Sequence, residues 1–353
     1  MRRSRRSILV SAATAVVALS LAACGGGPGG APTPTTASRP APSPAVGPAT
    51  GPSPAPARSP AASPAAAPAI GRAPGKKIGL ALSTLNNPFF VSLRNGAQRA
   101  ADQAGAELVV VDAVNDNAKQ ADQIANFITQ RLDVILVNPT DSDAIVPSVQ
   151  KANDAGIPVI ALDRAANGGN LASFIASNNV EAGKLGAQLL LEAVPQDAKV
   201  AMLVGIPGAS AARDRGKGFT DALADSSVTS KGVTLVAQQV ANFARDQALN
   251  VMENILTANP DVAGVFCQND EMALGAVQAI QARGLAGKVA VVGVDGIPDA
   301  IAAIKAGEMF GTVAQQPELM GELGVANAVK IVTGQTPEPR VDVPLKVVTR
   351  ENA

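Results

Sequence analysis

The chain has no histidine, tyrosine or tryptophan among its 353 residues, and only eight phenylalanines and two cysteines. Without histidine there is no imidazole base, no Ser-His-Asp arrangement and no imidazole metal ligand. The two cysteines, Cys24 and Cys267, lie far apart in sequence. A nucleophilic Cys267 would have no histidine to activate it, so a small buried apolar residue is the simpler reading. There is no GxxxxGK[ST] phosphate loop, no GxSxG elbow and no cluster with metal-ligand spacing. Gly25-Gly26-Gly27-Pro28-Gly29-Gly30 matches a dinucleotide fingerprint by letter, but it follows no strand and opens no helix.

Long apolar runs are also scarce. The exception, Ile8–Ala23, is shorter than the roughly 20 residues that span a bilayer. It follows Met1-Arg2-Arg3-Ser4-Arg5-Arg6, and a basic stretch before a short apolar one suits an export signal. Leu21-Ala22-Ala23-Cys24-Gly25 resembles a lipobox, in which Cys24 is lipidated. Ser4-Arg5-Arg6-Ser7-Ile8-Leu9 resembles a twin-arginine signal, which leaves the export route open. The whole chain is formally neutral, with 29 basic and 29 acidic residues. Without the four arginines of the leader, 25 basic residues face 29 acidic ones, a charge of −4. No nucleic-acid partner is expected from such a balance.

From Gly25 to Gly75 the chain is almost entirely Pro, Ala, Gly, Ser and Thr with hardly a charge, and 14 of the chain's 26 prolines fall here. This composition cannot bury a core. It predicts an extended tether, on the order of 150 Å at about 3.1 Å per residue. After Lys76 short β-branched runs alternate with amphipathic segments. The runs Ile78–Leu82, Leu108–Val111, Val134–Val137, Val159–Leu162, Val200–Val204, Leu235–Val240, Gly264–Cys267, Val289–Val292 and Gly311–Ala314 predict strands, with helices between them. That alternation implies an α/β fold with parallel strands, and the number of strands suits two sheets better than one.

Polar and aromatic residues gather just after these runs. They are Ser83–Phe90, Asn138–Asp141, Asp163-Arg164, Arg213–Arg215, Asn242-Phe243, Gln268–Asp270, Asp295 and Gln315. In open parallel sheets, ligands bind outside the carboxyl ends of the strands. An aromatic face packs on the C–H face of a sugar, while Arg, Asp, Asn and Gln meet its hydroxyls. Asp143 and Asp299 read instead as helix caps or first-turn acids. Paired carboxylates can hydrolyse glycosides. Here each acid is flanked by an arginine or an amide, which suits a fixed ionised acceptor, so no enzyme activity is expected.

The blocks Ser83–Phe90, Val137–Ala144, Ile160–Arg164, Ser210–Gly216, Phe266–Gly275 and Val292–Pro298 resemble the sugar-binding proteins of bacterial ABC importers, above all the ribose binders of the periplasmic-binding-protein, LacI-like group. The resemblance implies two Rossmann-like, doubly wound domains joined by three crossover strands, closing as a hinge on a monosaccharide. One domain would take residues 76–177 with 316–344, the other 178–315 with 345–353, after a signal peptide (1–24) and the tether (25–75). It implies sugar contacts from Ser83, Asn87, Phe89, Phe90, Asn138, Asp163 and Arg164 on one side. Arg215, Phe243, Asn269, Asp295 and Gln315 would face them, with Phe90 and Phe243 sandwiching the ring and Ser83 the weakest contact. Implied partners are D-ribose, a permease and its ATPase, and a membrane through lipid on Cys24. No cofactor is implied, and a monomer on the outer face of the cytoplasmic membrane is expected. The resemblance also implies a short surface insertion near Asp225–Gly232. One departure stands out: Val294 occupies a position where the family has Phe, which predicts a missing aromatic wall and makes the choice of sugar the open point. Allose, xylose, galactose or a furanose signal presented to a receptor is the alternative. A repressor of this fold would need a helix-turn-helix where the leader and tether stand.

Overall fold

The computed structural model describes residues 68–225 and 231–353. The leader, Cys24 and most of the tether lie outside the described residues, as does the centre of the expected insertion. The described chain begins before Lys76, at residue 68. Ala73 is buried, and its amide donates to the Ala104 carbonyl at 2.8 Å.

Among the described residues, twelve strands form two six-stranded sheets. The first contains β1 (Lys77–Leu82), β2 (Glu107–Asp112), β3 (Val134–Val137), β4 (Val159–Leu162), β5 (Ser173–Ala176) and β11 (Arg340–Asp342), in the order β2-β1-β3-β4-β5-β11. The second contains β6 (Lys199–Val204), β7 (Thr234–Val240), β8 (Val262–Cys267), β9 (Ala290–Asp295), β10 (Gly311–Ala314) and β12 (Lys346–Thr349), in the order β7-β6-β8-β9-β10-β12. Pairing is parallel throughout, except that β12 runs antiparallel to β10. The central strands are apolar along their length because helices cover both faces. Val134–Val137 and Val159–Leu162 are wholly buried.

The nine strands expected from the sequence are present. The three not foreseen, β5, β11 and β12, lie on the side of each sheet where the chain passes to the other. It passes three times: after Ala176, after Ala314 and after Asp342. The Gln316 side chain donates to the Pro344 carbonyl at 3.1 Å and ties the second passage to the third. Helices α1 (Pro88–Ala104), α2 (Asn117–Thr129) and α3 (Val146–Asp154) follow strands of the first sheet. Helices α4 (Asn179–Ala193), α5 (Ser210–Ala224), α6 (Arg245–Ala258), α7 (Asp270–Ala282) and α8 (Pro298–Ala306) serve the second. Helix α9 (Pro317–Val332) returns to pack on α1 and on β3 to β5.

Asn87, Asp116, Asn178 and Asn269 cap α1, α2, α4 and α7, each accepting a first-turn amide on its side-chain oxygen. Helices α4 and α5 meet backbone to backbone. A Cβ on Gly183 would stand 2.1 Å from the Arg215 carbonyl oxygen, and one on Gly218 would stand 1.9 Å from that of Val180. Only glycine permits that approach, and it fixes where α5 presents Arg215. Asp299 lies in the first turn of α8 as expected. Asp143 precedes α3 and accepts instead from the Asn167 side chain at 2.6 Å.

Candidate functional site

The strand ends of the two sheets face each other across a narrow cleft lined from both sides. Both sheets begin in the order second-first-third strand, so each has its switch point beside its first strand, where the crevice opens. Ten of the twelve expected site residues line the cleft. They are Asn87, Phe89, Phe90, Asp163 and Arg164 from the first sheet, and Arg215, Phe243, Asn269, Asp295 and Gln315 from the second or its edge.

At the β1–α1 junction, the Asn87 side chain caps α1 by accepting the Phe89 amide at 2.9 Å. Pro88 opens the helix where its missing N–H is no loss. The rings of Phe89 and Phe90 meet edge to face, 5.2 Å between centroids. After β4, Asp163 takes a left-handed backbone (φ 62°). Arg164 then reaches back, donating to the Pro139 carbonyl at 3.2 Å, and its guanidinium lies 5.2 Å from the ring centres of both Phe90 and Phe243. One cation therefore faces aromatic rings from both sides of the cleft.

On the second side, Arg215 donates through Nε to the Asn179 side chain at 2.8 Å and through Nη1 to the Gln268 carbonyl at 2.6 Å. Its Nη1 stands 3.7 Å from Asp295. Gln315 donates to the Asp295 carboxylate at 2.9 Å. The Asn269 amide donates to the Phe243 carbonyl at 3.4 Å while its oxygen caps α7.

Four ionisable side chains, Asp163, Arg164, Arg215 and Asp295, are thus buried together. Burial pushes the Asp163 carboxyl up, against the pull of Arg164 and Arg215. Burial also raises Asp295 well above the usual carboxylate range, opposed by Arg215 and reinforced by Asp270. Desolvation lowers Arg164. The ion pairs that offset this burial are loose, at 3.7 Å for both Arg164–Asp163 and Arg215–Asp295. Two buried cleft atoms, Nε of Arg164 and Oε1 of Gln315, have no hydrogen-bond partner among the described residues. A donor and an acceptor are therefore free, and leaving buried polar groups unpaired is costly.

Two expected contacts stand behind the cleft instead of lining it. Asn138 accepts the Ser83 amide at 3.3 Å and donates to the Leu162 carbonyl and to Asp163 at 3.1 and 3.2 Å. It orients Asp163, while Ser83 is wholly buried beside it. Other strand-end polar residues are also structural. The Gln268 side chain accepts the Gly205 amide, and Asp141 accepts the amides of Asp143 and Ala144. Asp270 points away from the cleft toward the Gly296–Ile297 turn. Ala211 lines the cleft unannounced; a small apolar residue carries no sequence signal of its own.

Val294 corrects an expectation. It is fully buried in the apolar cluster of the second sheet, with Phe266, Val292 and Val313 against α4. It shares the face of Val292, two residues earlier on β9. Its side chain does not line the cleft, so no aromatic wall is lost there.

A two-sheet α/β fold crossed three times by the chain, with a polar and aromatic cleft between opposed strand ends, defines a solute-binding protein. The chain belongs to the periplasmic binding protein family, whose domain matches residues 78–336. It is 43% identical to the ribose import binding protein of Bacillus subtilis over 274 residues, covering 78% of this chain and 87% of that one. It is 46% identical to the ribose import binding protein of Escherichia coli, covering 78% and 90%. An ABC transporter periplasmic solute-binding protein from Actinobacillus succinogenes, solved with bound D-allose, superposes with a TM-score of 0.73 at 38% identity. That match covers 78% of this chain and 98% of the other.

Proposed function

We propose that this protein is the sugar-binding component of an ABC importer, that it takes up one monosaccharide in the cleft, and that D-ribose is the ligand. The observation that carries this reading is the pairing of unsatisfied polar atoms with aromatic faces on both sides of one cleft. A sugar hydroxyl both donates and accepts, so one ring can meet Arg164, Arg215, Asp163, Asp295, Asn269 and Gln315 together while its C–H faces pack on Phe90 and Phe243. Identity above 40% to ribose import binding proteins favours ribose over other sugars. The buried charges suit fixed hydrogen-bond partners for a neutral polyol, and we read the protein as a binder and not an enzyme.

In this reading residues 76–177 with 316–344 form one lobe and residues 178–315 with 345–353 the other. The lobes swing about the three crossovers, and the closed form is what a permease and its ATPase recognise. Lipid on Cys24 would hold the monomer at the outer face of the cytoplasmic membrane, with the Pro-rich segment as its tether. The test is calorimetric titration with ribose, allose, xylose, galactose and arabinose. Ribose should bind most tightly, and Arg215→Ala and Asp163→Ala should each abolish binding with the far-ultraviolet dichroism unchanged. If both variants bind ribose as tightly as wild type, the cleft is not the site.

A further inference from the structure

Helix α5, which carries Arg215, begins without a side-chain cap, because its N-cap residue is Ala209. Its first amide, that of Ser210, donates instead to the Ser142 hydroxyl at 3.1 Å. Ser142 belongs to the loop after β3, in the opposite sheet. The exchange is reciprocal. The Ser210 hydroxyl accepts the Ala165 amide, from the loop after β4, at 2.8 Å. The Ser142 amide donates to the Gly208 carbonyl at 2.9 Å. Ser142 and Ser210 are both buried. Outside them, on the exposed rim, Arg213 donates to the Asn167 side chain at 3.3 Å and to the Gly208 carbonyl at 2.8 Å. Asn167 is itself tied to Ser142 by its amide, at 2.8 Å. None of these residues lines the sugar cleft.

We propose that Ser142 and Ser210 form a clasp between the two sheets, capping α5 from across the cleft, and that this clasp sets how long a bound sugar is held without touching it. The inference rests on the reading that the cleft binds a sugar and opens to release it. Any opening that parts the strand ends breaks these bonds together and leaves the amides of Ser142, Ala165 and Ser210 to water. A capping interaction of this kind contributes modestly in a folded protein. Here the whole contribution falls on the closed form, because the two sides separate on opening. The clasp therefore slows opening of the loaded protein. It does not help a sugar enter, since a closed, empty cleft admits none. Its signature is a change in dissociation rate with the association rate held or raised.

The experiment compares wild type with Ser142→Ala, Ser210→Ala and the double variant. The chain has no tryptophan or tyrosine, so release is followed with radiolabelled D-ribose chased by excess unlabelled sugar. Hydrogen exchange of the three amides is measured with and without D-ribose. Ser142→Ala should raise the dissociation rate about tenfold, equivalent to about 1.4 kcal/mol, with no fall in association rate. The Ser210 amide should exchange faster, and the double variant should lose less than the sum of the two single changes. Wild-type dissociation from the double variant would overturn the proposal. If wild type binds no ribose, the ribose reading fails by itself, and exchange alone decides the clasp: wild-type protection of Ser210 and Ala165 in the double variant would sink it.

Discussion

The carboxylate of Asp270 holds the turn on which Asp295 stands. Its Oδ2 accepts the amides of Gly296 at 2.6 Å and Ile297 at 3.0 Å, and its Oδ1 accepts the Thr312 hydroxyl at 2.7 Å. Asp295 and Gly296 both sit at positive φ, 136° and 79°, so the turn keeps an uncommon backbone that needs such support. Asp270→Ala should free two amides and weaken sugar binding, whereas Asp270→Asn keeps an acceptor for both and should bind nearly as wild type. Calorimetry on the two variants separates these outcomes.

The same residue makes a prediction about pH. Burial pushes the Asp270 carboxyl up to about 6, against the hydrogen bonds from Thr312, Ile297 and Gly296. In the unfolded chain it returns to its ordinary value near 3.8. Between these values the folded protein holds a proton that the unfolded chain has released. The contribution of Asp270 to stability is thus full below the lower value and is lost as pH rises through the upper one. Asparagine does not titrate. The Tm of Asp270→Asn relative to wild type should therefore be more favourable at pH 7.5 than at pH 4.5, and an unchanged gap would show that Asp270 is ionised throughout.

Phe243 owes its position to a missing side chain. A Cβ on Gly205 would stand 2.1 Å from its ring. Gly205→Ala should push the ring from its seat and weaken sugar binding about tenfold, the scale of one lost aromatic contact. The far-ultraviolet spectrum should not change, since Gly205 lies outside β6 and α5.

Arg164 works through its flat shape as well as its charge. Arg164→Lys keeps the charge but gives up the planar group that faces both Phe90 and Phe243. Binding should fall about tenfold or more. Wild-type affinity would mean that charge alone matters there.

Because Val294 packs beneath the sheet, Val294→Phe should not restore an aromatic wall. It should overfill the cluster around Phe266 and destabilise the fold by about 1–3 kcal/mol. The ranking of sugars in a titration panel should stay as in wild type.

Much of this architecture could be read from the chain alone. Strands such as Val134–Val137, buried on both faces, are apolar throughout, and the polar residues after them mark the cleft. The three strands beside the crossovers were not legible. Arg340–Asp342 is a short, mostly exposed edge, and edges carry little hydrophobic pattern. Nor could a strand-end position say which way a side chain turns. Asp163 and Asp270 look alike in sequence, yet one lines the cleft and the other braces a turn. Val294 misleads for the same reason: neighbouring residues on a strand face opposite sides, and only the register on β9 shows which side it takes.

The triple passage between the sheets also bears on how the molecule comes into being. The first sheet acquires β11, and α1 its packing partner α9, only after nearly all of the second sheet has been made. The second sheet in turn waits for β12, the final strand. Neither half is a continuous stretch of chain that could mature by itself on the ribosome. Residues 317–349 supply the elements that complete both halves.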